Sequence, residues 1–198
     1  MKTAFLIQRK KWSPSLRMFS ILCFVLLLSL ESGVTATAIS APEDEFKVTT
    51  VYLVRHAEKA AAPAADPPLL EAGIKRAEEL ARTLGNAGIK TIYTSQLLRT
   101  KQTGEPLAKQ LGIAVTTIPV KMSAANPREL SPQYLAEVVE RASGGGNVLI
   151  VGHSNTVPEI IKALGGDIVP TIDEAVFDDL FVVTVYAKGK AKVAHLKQ

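Results

Sequence analysis

The hydropathy pattern divides the chain into one continuously apolar run and, beyond it, a succession of short periodic segments. The run is Met18 to Leu30 (MFSILCFVLLLSL), thirteen residues without a charge. After a polar stretch, Ala41 to Lys47, the segment Val48 to Val54 (VTTVYLV) is short, apolar and β-branched, which predicts a buried strand. Ala60 to Pro68 reads as a Pro/Ala loop. Glu71 to Leu84 sets Ile74, Ala77, Leu80, Ala81 and Leu84 at helical spacing, predicting a helix with that face buried and an end at Gly85 and Gly88. Ile89 to Thr94 predicts a second strand. Gln96 to Leu111 predicts a second helix, weakened in its middle by Gly104 and Pro106. Ile113 to Ile118 predicts a third strand, and Pro119 to Pro132 is irregular. Tyr134 to Ala142 predicts a third helix through Leu135, Val138 and Val139, followed by a turn at Ser143 to Gly146 and a fourth strand at Val148 to Val151. A fourth helix is expected near Pro158 to Leu164, with Thr156 and Glu159 as its capping box. Leu180 to Tyr186 and Ala191 to Leu196 close the chain as a hairpin around Lys188-Gly189.

This β-α-β-α order predicts an α/β fold: a three-layer α-β-α sandwich with a mostly parallel central sheet, built as a single domain over residues 39–198. About 160 residues are enough to bury roughly 70% of the unfolded surface. In sheets of this kind ligands sit outside the carboxyl ends of the strands.

Charge changes the picture at the leader. Of 23 bases and 19 acids in the whole chain, five bases (Lys2, Arg9, Lys10, Lys11, Arg17) and one acid (Glu31) fall in the first 38 residues, leaving 18 of each. The net charge of +4 therefore belongs to the leader, and a nucleic-acid footprint loses its main support. A basic start, an apolar run and small residues ending in Ala36-Thr37-Ala38 are the order of a secretory signal peptide. They predict cleavage near Ala38 and export to a periplasm or the medium. Thirteen apolar residues fall short of the about 20 that span a bilayer, so no stable membrane anchor is expected after cleavage; retention of the leader as an anchor is the other reading. Cys23, the one cysteine, lies inside the apolar run without a lipoprotein box before it. Cleavage would leave no thiol for catalysis or for zinc. Trp12, the one tryptophan, would leave with the same segment.

Candidate chemistry collects at three predicted strand ends. The first ends in Arg55-His56-Ala57-Glu58, the second in Thr94-Ser95 with Arg99 just beyond, and the fourth in Gly152-His153-Ser154-Asn155. Arginine presents a planar fork of donors that matches phosphate oxygens and stays charged at any working pH, so two of them neutralise a phosphate dianion. Helix N-termini beyond Ser95 and Asn155 would add backbone N–H groups. Three of these segments, Arg55-His56-Ala57-Glu58, Ser95 through Thr103 (SQLLRTKQT) and Gly152-His153-Ser154, resemble the histidine phosphatase (phosphoglycerate-mutase-like) superfamily. Asp66-Pro67-Pro68-Leu69 followed by Glu71-Ala72-Gly73 is similar to its first helix start, and the likeness runs from about residue 50 to residue 185.

The resemblance implies a metal-independent phosphatase, a phosphoric ester hydrolase of the histidine acid phosphatase type, without a cofactor. In that family the histidine after the first arginine is phosphorylated and then hydrolysed, which implies His56 as nucleophile. Arg55, Arg99 and His153 carry over as the other members of the phosphate pocket. His56 should be neutral, with its second nitrogen held by a backbone carbonyl and its pKa lowered by the arginines; His153 should be favoured as imidazolium toward the bound anion. Asn155 is weighed both as a substrate ligand and as a helix-start residue. The partner is a phosphorylated substrate of unstated class, a phosphomonoester or a phosphoramidate. The oligomeric state is left open.

A proton donor for the leaving group has no clear counterpart in Lys121 through Glu129, and Glu58, Asp66, Asp178 and Glu129 stand as alternatives. Lack of such an acid favours good leaving groups. Absence of long insertions argues against a mutase. Two competing functions remain: a non-catalytic phosphate-binding module of the same fold, and a metallohydrolase on His56, Glu58 and His153, which lacks the Cys-x-x-Cys of zinc deaminases. Arg55 could also pair with Glu58. His195 reads as a surface residue, Glu78-Glu79 and Asp178-Asp179 as solvated, and Gly144 to Gly146 precedes a strand and so is no phosphate loop.

Overall fold

A computed structural model describes residues 47–198; the expected signal peptide with its cleavage site at Ala38, Cys23 and Trp12 lies outside the described residues. Ten elements follow in chain order: β1 (Thr49–Arg55), α1 (Glu71–Leu84), β2 (Ile89–Thr94), α2 (Leu98–Leu111), β3 (Val115–Thr117), α3 (Pro132–Ala142), β4 (Gly146–Gly152), α4 (Thr156–Ala163), β5 (Asp179–Ala187) and β6 (Lys190–Lys197). The strands form one sheet in the order β3-β2-β4-β1-β5-β6. The first four in chain order pair in parallel, whereas β5 runs antiparallel to β1 and β6 to β5. The α/β layered fold expected from the sequence is present, with a mixed sheet in which parallel pairing is confined to four strands.

Strand periodicity sorts the core into two layers. Val51 and Leu53 of β1, Val148 and Ile150 of β4, and Phe181 and Val183 of β5 face one side, where Tyr134 and Val138 of α3 and Val157, Ile160 and Ile161 of α4 cover them. Val54, Leu149, Val151 and Leu180 face the other side, under Leu80, Ala81 and Leu84 of α1 and Leu107 and Ala108 of α2. Both faces of the central strands are buried, which is why their sequences read as continuous apolar runs.

Several local expectations change. Ile74 is exposed, and Gly73 holds the buried place at that end of α1. A Cβ at Gly73 would overlap the carbonyl oxygen of Glu58, so the helix start lies directly against the chain leaving β1. The helix α2 runs unbroken through Gly104 and Pro106, because the missing side chain at Gly104 lets it lie close over Ile92 of β2. Ser131 caps α3 by accepting from the Tyr134 N–H at 3.1 Å, so that helix begins at Pro132, a residue suited to a first turn. The capping box on α4 does not form: Thr156 Oγ1 accepts instead from the His153 N–H, and Glu159 reaches across to the Leu130 N–H.

Candidate active site

Register brings the three strand ends into one row. Arg55 pairs with Gly152 and Thr94 with Val151, so His56, His153 and Ser95 emerge side by side from the carboxyl edge of adjacent parallel strands. The His56 N–H continues the ladder to the Gly152 carbonyl at 3.0 Å. Gly152 is required here because a side chain would strike Thr156 Oγ1 and Val157, which fold back over the turn. The polar residues after Ser95 tie this edge together. The Thr100 hydroxyl lies 2.9 Å from Ser95 Oγ, Thr103 Oγ1 accepts from the Ala57 N–H at 3.0 Å, and Gln102 accepts from the Leu69 N–H at 2.8 Å. The helix that carries Arg99 is thereby pinned to the loop that carries His56.

The two imidazoles face each other edge to face, their ring centres 5.4 Å apart. His56 is buried, and its Nδ1 lies 2.8 Å from the Ala57 carbonyl. That contact fixes the tautomer: Nδ1 donates, and Nε2 keeps a free lone pair. The pKa of His56 is lowered to about 4, first by burial; the Ala57 contact works the other way, and Arg99 and Arg55 push it further down. The neutrality expected of His56 holds, with desolvation rather than the arginines as the larger cause. In the site without a bound anion His153 is not an imidazolium. Burial, then His56, Arg99 and Arg55, lower its pKa to about 3. It is a neutral ring with Nε2 3.1 Å from Ser95 Oγ, and a neutral imidazole still offers one N–H donor.

Arg55, 3% exposed, spends its guanidinium on the loop before β5. Nη1 donates to the Asp173 and Val176 carbonyls at 2.8 and 3.0 Å, Nη2 pairs with Glu174 at 2.6 Å, and the Phe177 ring centre lies 4.3 Å from the guanidinium carbon. It does not pair with Glu58. Arg99 sits 3.9 Å from Asp66, and its charge acts on both histidines and on Arg55. The Nε of Arg55 and the Nε of Arg99 are both buried without a hydrogen-bond partner among the described residues. A buried, unpaired guanidinium N–H is costly, and an oxyanion is a partner that would satisfy it.

Each of the four carboxylates weighed as proton donors has a polar partner. Glu58 takes Arg76 with both oxygens at 2.7–3.0 Å, and burial notwithstanding, that contact holds its pKa below the usual carboxylate range. Asp66 accepts from the Leu98 N–H at 2.9 Å, Asp178 pairs with Lys197 at 2.8 Å, and Glu129 accepts from Asn126 on an exposed turn. Because Glu58 is turned to Arg76, the His56, Glu58 and His153 set is not a ligand cluster, and no group of three His, Cys, Asp or Glu is spaced to hold a metal among the described residues. The start of α2 contributes less than expected, since the Leu97 and Leu98 N–H groups are taken by Ser95 Oγ and Asp66. Asn155 stands exposed at the start of α4 with no capping bond from its side chain. Asp179 is buried rather than solvated, paired with Lys197 and with His195, whose ring stacks on Phe181 at 4.5 Å.

Sequence reasoning missed Glu174 and Phe177. Their place follows from one fact of topology: β5 runs antiparallel to β1, with Leu180 opposite Val54, so the residues preceding it cross the carboxyl edge of β1. An antiparallel partner for the first strand would have pointed to them, but the hairpin reading carried no information on where the hairpin docks.

Comparison with known proteins agrees with this geometry. Residues 51–120 match the sequence model of the histidine phosphatase superfamily (branch 1). Over 75 residues the chain is 40% identical to a probable phosphoglycerate mutase GpmB of Yersinia pestis, a match covering 35% of this chain and 35% of that protein. The chain thus spans about a third of the length of the curated relatives it matches. Among solved structures, the protein histidine phosphatase SixA complexed with tungstate aligns over 75% of this chain and 96% of that one, with a TM-score of 0.60 and 18% identity. A putative phosphohistidine phosphatase SixA from Agrobacterium tumefaciens aligns over 75% and 98% with a TM-score of 0.53 and 25% identity, and a phosphoglycerate mutase from Bacillus anthracis over 77% and 94% with 0.59 and 18%. At these identities the solved structures establish the shared fold.

Proposed function

We propose that the protein is a phosphatase that transfers a phosphoryl group to Nε2 of His56 and then to water. The observation that carries this reading is a buried neutral imidazole, locked by the Ala57 carbonyl, on which the charges of Arg55 and Arg99 act, each arginine having a buried Nε without a partner among the described residues. In the first step the lone pair of Nε2 forms the N–P bond while the bond from phosphorus to the leaving group breaks, and the electron pair departs with that group. In the second step water attacks phosphorus, the N–P bond breaks, and inorganic phosphate and neutral His56 are restored. Arg55, Arg99 and the ring N–H of His153 hold the equatorial oxygens, which is most of what phosphoryl transfer asks of a protein. The tungstate complex of a neighbour of the same fold supports an oxyanion as occupant.

With Glu58 paired to Arg76 and Asp178 to Lys197, neither of these carboxylates stands ready to protonate a poor leaving group. The substrates favoured are those that leave easily: aryl and acyl phosphates and phosphoramidates. The basic, apolar and small-residue order of the leader supports an exported enzyme. The test is a hydrolysis screen across phosphate classes beside His56→Ala. The expected result is turnover of an aryl phosphate by the natural chain and none by the variant. Phosphate binding without any turnover would leave only a binding module.

A further inference from the structure

Resting on that reading, we propose that Glu174 selects the substrate: its carboxylate, fixed at the mouth of the phosphate pocket by Arg55 and Ser154, disfavours anionic leaving groups and favours cationic ones. The floor of the site is closed, with His56, Arg55 and Ser95 each 3–4% exposed, whereas the Glu174 side chain is 77% exposed. A phosphoryl group held by Arg55 would lie beside this exposed carboxylate, which shares the same guanidinium.

The carboxylate is held in place. Oε2 accepts from Arg55 Nη2 at 2.6 Å and Oε1 from the Ser154 hydroxyl at 2.7 Å, so it bridges the ends of β1 and β4. Its loop is fixed on both sides by the Ile172 N–H to the Ser154 carbonyl at 3.1 Å and by Arg55 Nη1 to the Asp173 and Val176 carbonyls. Glu174 also remains charged, because the Ser154 hydroxyl and the nearby Arg55 hold its pKa below the usual range.

Charge balance gives the direction of selection. Arg55 is set against Glu174 and Arg99 against Asp66 at 3.9 Å, so each guanidinium already faces a carboxylate before a phosphoryl dianion arrives. A positive charge on the departing group reduces the excess of negative charge, and a further negative charge worsens it. For unit charges about 7 Å apart at an effective dielectric constant of 20–80, each unit of charge on the departing group changes the rate roughly 3- to 50-fold.

The experiment measures kcat/KM for phenyl phosphate and its para-carboxylate and para-aminomethyl forms, with the natural chain, Glu174→Gln and Glu174→Lys. The ammonium-to-carboxylate ratio is taken within each preparation, so differences in folded fraction and in intrinsic leaving ability cancel between variants. The ratio should favour the ammonium in the natural chain, fall about tenfold in Glu174→Gln, and reverse in Glu174→Lys. A ratio unchanged within twofold in both variants, with hydrolysis intact, overturns the role of Glu174 and leaves the phosphatase reading standing. Calorimetric binding of the matching benzylphosphonates reads the same ratio without turnover. A shifted binding ratio with no hydrolysis by any form supports the selection and overturns the phosphatase; an unshifted one overturns both.

Discussion

Acidification should destabilise this protein, because His56 is buried and His153 half-buried as neutral rings. In the unfolded chain an imidazole binds its proton near pH 6.5, whereas in the folded chain His56 waits until about 4 and His153 until about 3. Between those limits the unfolded state holds more protons than the native one, so stability is complete above pH 6.5 and falls as the pH drops toward 4 and 3. At pH 5 each ring costs about 2 kcal/mol, from roughly 1.5 pKa units at 1.36 kcal/mol each. Part of the His153 shift is repulsion from His56, so the pair together costs about 2 to 4 kcal/mol. The assay is urea unfolding at pH 7.5, 6, 5 and 4.5, compared with a His56→Gln/His153→Gln double variant that keeps His195. The natural chain should lose that amount between pH 7.5 and 5 while the variant loses less than half as much. Parallel curves for the two proteins would refute the claim that the rings are buried uncharged.

Three further outcomes follow from the same contacts. Gly73→Ala forces a methyl group onto the Glu58 carbonyl and should cost about 1–3 kcal/mol of stability, read by thermal melting, with a fall in turnover because that carbonyl lies two residues from His56. Arg99→Ala should lower kcat/KM for an aryl phosphate on the order of 10²–10³-fold and abolish the rise in Tm that inorganic phosphate gives the natural chain. Rates across substituted aryl phosphates should fall steeply with the pKa of the leaving phenol, with Glu58→Gln changing that slope little and EDTA changing no rate; a flat slope lost in Glu58→Gln would make Glu58 the proton donor.

Much of the layered fold was legible in the sequence because buried strands and amphipathic helices leave a period: Val51, Leu53 and Val54 read as a strand for the same reason that they fill two cores. The gathering of Arg55, His56, Ser95 and His153 was legible too, since each ends a strand or follows directly on one and parallel strands end at one edge. What was not legible depends on contacts between distant segments. Ile74 and Gly73 exchanged roles because the chain after β1 crosses α1 there. Glu159 fitted a capping box by spacing, yet a free N–H at Leu130 competed for it and won. The protonation of His153 turned on burial and on the neighbouring ring, neither of which a local motif encodes. Glu174 has no motif at all; only the antiparallel docking of β5 brings it to Arg55.

The central claim is that Nε2 of His56 carries the phosphoryl group between substrate and water. Rapid quenching of the protein during turnover of an aryl phosphate, followed by peptide mass spectrometry under alkaline conditions, tests it directly. The account predicts an acid-labile, alkali-stable phosphoryl group on the peptide containing His56 and none on that containing His153. Steady turnover with no phosphorylated His56 at any quench time, or with the group on His153, would contradict it.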